Sequence, residues 1–125
     1  MSAAQQLAAY RTVQKITSSD REIEALVLTR AAQKLAEVQN NWDGPDRDER
    51  LDEALRYNQR IWSIFQGELL KEDNPLPRQL RSDILSLSAF IDRRIIEVMT
   101  SPDPEKLKVI VNINLNIAAG LRGQP

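Results

Sequence analysis

The sequence predicts an all-α fold, a small helical bundle of four main helices with room for an extra helix at the N-terminus. Three observations point there. Apolar residues recur at helical spacing through most of the chain. Five of the six prolines stand at three places, Pro45, Pro75 with Pro77, and Pro102 with Pro104, and the sixth is the last residue. Proline interrupts helix interiors and is tolerated in a first turn, so these places divide the chain into long segments. Strand-like alternation is absent from nearly all of them.

A chain of 125 residues and 14.2 kDa suits one domain, residues 1–125, around one core. Within residues 1–18, Leu7, Tyr10, Val13 and Ile16 allow a weaker helix, expected to be a mobile N-terminal segment. The first strong helix is expected to begin at Ser19. Ser19-Asp20-Arg21-Glu22 fits a capping box, in which Ser19 and Glu22 reciprocally satisfy backbone N–H groups. Leu28, Ala31, Leu35, Val38 and Trp42 then recur at helical spacing, and Trp42-Asp43-Gly44-Pro45 ends the helix.

A second helix is expected from about Asp46 to Leu70, its acidic first turns suited to the positive end of the helix dipole. Leu51, Ala54, Leu55, Asn58, Trp62, Phe65 and Leu69 share one face, widened by Ile61 and Ile64. Gly67 is a poor interior residue and marks fraying or a close backbone approach. The third helix follows Asn74-Pro75-Leu76-Pro77, with Leu80, Ile84, Leu87, Ile91 and Ile95 as its stripe.

The fourth helix is expected to start at Asp103, a good N-cap, with Pro104 in the first helical position, and to stop at Gly120. Its segment Val111-Asn112-Ile113-Asn114-Leu115-Asn116-Ile117 alternates like a half-buried strand. The start and stop signals and the lack of a pairing strand favour helix, since a lone strand leaves backbone groups unsatisfied.

Composition narrows the function. The chain has no cysteine, which removes disulfides, thiol nucleophiles and thiolate metal sites, and no histidine. No cofactor or metal is implied. Formal net charge is −1, whereas nucleic-acid binders usually carry a basic excess. No apolar run approaches the ~20 residues that span a bilayer. The start MSAAQQLAAYRTVQK lacks the order of a secretory signal. The expected location is the cytoplasm, away from membranes.

Candidate chemistry is thin. The cluster Asp43 to Glu53 fails as a calcium loop: with Gly44 as the sixth position, Gln39 stands at the first and Arg50 at the twelfth. It reads instead as a solvated helix start. Carboxylates neighbour lysines or arginines almost everywhere, and no nucleophile, base or phosphate loop is recognisable, so the chain is not expected to be an enzyme. Arg78, Arg81, Arg93 and Arg94 on the third helix, with Arg56 and Arg60 on the second, suit ordinary surface charge better than an RNA-binding face. Asn58 and Asn114 stand out on apolar faces. Each needs a partner when buried, and the reading favoured is that they fix bundle register, as buried asparagines do in coiled coils, rather than meet a bound helix.

These residues together resemble the α-proteobacterial FlaF family of flagellar regulators. The most specific stretches are Leu55-Arg56-Tyr57-Asn58-Gln59-Arg60-Ile61-Trp62-Ser63-Ile64-Phe65, then Asn74-Pro75-Leu76-Pro77 and Leu80-Arg81-Ser82-Asp83-Ile84-Leu85-Ser86-Leu87. Arg21-Glu22-Ile23-Glu24-Ala25, Ile113-Asn114 and Ile117-Ala118-Ala119-Gly120-Leu121 extend the likeness over nearly the whole chain. The usual motif has leucine where Ile61 stands.

The resemblance implies a role in flagellin synthesis and export, with flagellin bound by a secretion chaperone acting alongside FlbT, a regulator of flagellin messenger RNA. A helical bundle with surplus apolar surface is compatible with that role, because it can cover an unpacked amphipathic helix by helix-in-groove docking. The expected groove is lined by parts of the second, third and fourth helices. Ile61, Trp62, Phe65, Leu87 and Ile91 are its candidate lining or supporting residues, with Trp62 the strongest anchor. Each of the five also suits plain core. The alternative functions are a regulator acting with FlbT on flagellin messenger RNA and a self-assembled structural dimer.

Overall fold

The computed structural model describes the backbone of residues 3–123 and the side chains of residues 21–123. The described residues form four helices: α1 (Ala3–Asn40), α2 (Arg47–Leu69), α3 (Arg78–Thr100) and α4 (Pro104–Leu121). No strand occurs among the described residues. The adjoining pairs are α1 with α2, α2 with α3, α3 with α4, and α4 back on α1. Neighbours run antiparallel. Lys34 reaches Glu53 while Ala31 meets Asn58, and Gln39 reaches Pro104 while Thr29 meets Arg122. The result is an up-down-up-down four-helix bundle.

One expectation fails at the start. The helix does not begin at Ser19, and the separate N-terminal helix is the first half of α1. The physical reason is the lack of any breaker: neither proline nor glycine occurs between Ala3 and Asn40. The opening residues are mostly alanine, glutamine and leucine, which rank high in helix propensity. A capping signal is permissive, and without a breaker upstream the helix runs through it. The Ser19 side-chain cap and the mobility of residues 1–18 lie outside what is described.

The core of α1 comprises Ala25, Leu28, Ala31, Ala32, Leu35 and Val38. Its contact with α4 is the most extensive in the molecule. Small residues explain this. Ala25, Ala32 and Ala36 lie on the same side of α1 as Thr29, which accepts a hydrogen bond from Arg122 at 3.1 Å, and they let the two backbones approach.

After α1 the chain turns tightly, with Gly44 N–H donating to Asn41 O at 2.9 Å. A Cβ at Gly44 would stand 3.0 Å from that same carbonyl oxygen, a tight contact that favours glycine there. Asp46 precedes α2 but makes no side-chain cap bond; its carboxylate pairs with Arg50 at 2.8 Å. Between α2 and α3, Asn74 accepts from Leu76 N–H and donates to Glu68 O, both at 3.0 Å, which shapes the Asn74–Pro77 turn.

The alternating segment of α4 is helical, as the start and stop signals require. Burial there follows helical spacing, through Leu107, Ile110, Asn114 and Ala118. Asp103 accepts from Glu105 N–H at 2.9 Å, and Pro104 occupies the first turn. The helix runs one residue past the expected stop at Gly120, and the left-handed residue is Gly123, at φ 74°. Leu80, expected on the α3 stripe, is 43% exposed. With 18 residues α4 is shorter than α3, which has 23, so the first turn of α3 lacks an α4 neighbour.

Candidate functional site

A chain of hydrogen bonds crosses the middle of the bundle. Trp62 Nε1–H on α2 donates to Asn114 Oδ1 on α4 at 2.9 Å. Asn114 Nδ2 donates to Asn58 Oδ1 at 2.7 Å. Asn58 Nδ2 donates to Ala54 O at 2.8 Å and to Ala31 O on α1 at 3.2 Å. Chemistry dictates the direction of every link. Indole only donates and carbonyls only accept, so Asn114 must turn its oxygen to Trp62 and its nitrogen to Asn58, whose own nitrogen faces the Ala31 and Ala54 carbonyls. All three side chains are fully buried. The network ties three helices together and turns both amides toward partners inside the bundle.

The groove residues expected from sequence separate by depth. Trp62 and Ile91 are fully buried and Phe65 is 5% exposed, so these belong to the core. Trp62 and Phe65 rings stand 5.9 Å apart in a tilted arrangement. Ile61 and Leu87 are partly buried. Three of the five thus lie inside the bundle, and Trp62 touches no outside surface. Nearby, Gln66 Nε2 on α2 donates to the buried Ser88 hydroxyl and, at 3.1 Å, to Asp92 on α3.

Open apolar surface lies instead where α2 ends and α3 begins. A shallow cleft of about 490 Å³ is lined by Leu69, Leu70, Leu85 and Ala89, with Arg78 and Arg81 among its polar residues. Leu70 is 70% exposed, the most of any large apolar side chain described. Arg81 Nη1 donates to Lys71 O at 3.1 Å, but its Nε is buried without a hydrogen-bond partner. Beside it, the Lys71 ammonium donates to Glu68 Oε1 at 3.0 Å; that bond, and the carboxylate charge, raise Lys71 above its ordinary pKa.

Helical spacing puts Leu69 on the α2 face and both arginines on the third helix, but no local pattern joins them into one surface. The only signal was that Leu70 falls outside the α2 stripe. Among the described residues, no group of three or more His, Cys, Asp or Glu could hold a metal ion. Nor is any described helix long and apolar enough to cross a membrane.

Comparison with known proteins adds one match. A family model described as flagellar protein FlaF matches residues 6–121. No curated protein and no solved structure matches the chain.

Proposed function

Starting from the fact that the chain belongs to the FlaF family of flagellar proteins, we propose that it binds a terminal helix of flagellin as a secretion chaperone. Through that binding it limits or times flagellin synthesis and export, in the cytoplasm and alongside FlbT, and it catalyses no reaction. The observation that carries this reading is the open apolar cleft between the end of α2 and the start of α3, with Leu70 bare to solvent. Exposed apolar patches mark interaction sites, and an amphipathic helix covers one by laying its apolar face into it. Flagellin's terminal helices are amphipathic and unpacked before assembly, so they present the matching face.

The test is calorimetric titration with flagellin at low and high salt, using truncated flagellins that lack either terminal helix as controls. The expected result is binding with a negative heat-capacity change, lost with one terminal helix. It should weaken far less with salt than phosphate contacts do. Failure of every flagellin form to bind overturns the reading and directs attention to FlbT and messenger RNA.

A further inference from the structure

The cleft is more than an apolar patch, because its charge is one-sided. Arg78 and Arg81 line it and no carboxylate does. Neither arginine forms an ion pair among the described residues, whereas Arg47, Arg50, Arg56 and Arg94 each hold a carboxylate. Arg81 Nε is also buried without a partner, although the same guanidinium is held in place by its bond to Lys71 O. A half-buried guanidinium held beside an apolar floor is arranged for a carboxylate, which can engage its remaining N–H groups.

We infer that this cleft docks an acidic amphipathic helix of flagellin, whose apolar face covers Leu69, Leu70, Leu85 and Ala89 while its carboxylates meet Arg78 and Arg81; this rests on the flagellin-binding reading above. The dimensions suit it. Arg78 to Ala89 spans about 16 Å of α3, at ~1.5 Å per residue, the length of about three helical turns. Carboxylates three or four residues apart on the docked helix share one face, as Arg78 and Arg81 do on α3. The apolar floor argues for a helix over a nucleic acid, whose bases would call for aromatic stacking partners that the cleft lining lacks.

The experiment repeats the flagellin titration with five variants of the full chain. Leu70→Asp and Arg78→Glu alter exposed residues of the cleft, while Ile64→Asp and Ile96→Asp alter side chains 60% and 59% exposed that lie outside it. Helix content and melting are compared by circular dichroism, so that a loss of fold is not taken for a loss of contact. The inference requires at least about a ten-fold loss of affinity for both cleft variants, the scale at which truncation of an interface anchor registers. Arg78→Gln should lose less than Arg78→Glu, and both control variants should bind as the parent does. Flagellin binding that is unchanged in both cleft variants overturns the cleft and leaves flagellin binding standing. Absence of binding by the parent chain overturns both. Binding of an RNA oligonucleotide that Arg78→Glu abolishes, with flagellin binding unchanged, overturns it in favour of a nucleic-acid site.

Discussion

Trp62 and Asn114 are joined by a 2.9 Å hydrogen bond although their helices, α2 and α4, do not adjoin in the bundle. The bond bridges the diagonal through the core, and the Asn114 amide relays it to Asn58. A buried polar chain of this kind forms fully only when all contributing helices are in register. A register slip that buried similar apolar area would leave these polar groups without partners.

Asn114→Leu should destabilise the fold sharply, since it leaves Trp62 Nε1–H and Asn58 Oδ1 without their partners. Each orphaned buried group costs about 1–3 kcal/mol. Pairing it with Trp62→Phe removes one of those orphans, so the double variant should cost less than the sum of the single ones. The difference is read from urea unfolding, with a coupling of roughly 0.5–3 kcal/mol expected for contacting residues. Strict additivity would show that the bond does not form.

The two tryptophans should report different depths. Trp62 is fully buried, whereas Trp42 is partly exposed, with the Arg47 guanidinium 4.4 Å from its ring. In Trp42→Phe the remaining Trp62 emission should lie to the blue and resist acrylamide. In Trp62→Phe the Trp42 emission should lie to the red and be quenched readily. Equal quenching in the two variants would place Trp62 at the surface.

Faces were legible in the sequence, and depth was not. Helical spacing put Asn58 and Trp62 on one α2 face and Asn114 on the α4 face, because each pattern is local to its helix. Whether that face meets solvent or a third helix depends on the order in which helices close around it. Trp62 thus suited both groove and core until α4 was in place. The Ser19 start misled for the opposite reason: a local cap signal says nothing about the breaker it needs upstream. The cleft escaped notice because its parts come from two helix ends, and Leu70 is bare only because α2 stops beside it.

Two glycines should respond in opposite directions to the same change. Gly67 lies within α2, and a Cβ added there meets nothing within 4 Å. Gly67→Ala should stabilise by about 0.5–1 kcal/mol, through higher helix propensity and a less disordered unfolded chain. At Gly44 the added Cβ would crowd the Asn41 carbonyl at 3.0 Å, and backbone gives way less easily than a side chain. Gly44→Ala should lower the melting temperature. A rise in both variants would mean that the turn after α1 is looser than drawn.

Asp103 supplies the one side-chain cap among the described helix starts of α2, α3 and α4, through its 2.9 Å bond from Glu105 N–H. Its removal leaves Glu105 N–H, at the positive end of α4, without its side-chain acceptor. Asp103→Ala should therefore cost about 1 kcal/mol, while Asp103→Ser, which keeps an acceptor oxygen, should cost less. The alanine variant should also show faster amide exchange in the first turn of α4, with the Asn114 region unaffected. If alanine and serine behave alike, the α4 start is held by packing of Leu107 and Ile110 rather than by its cap.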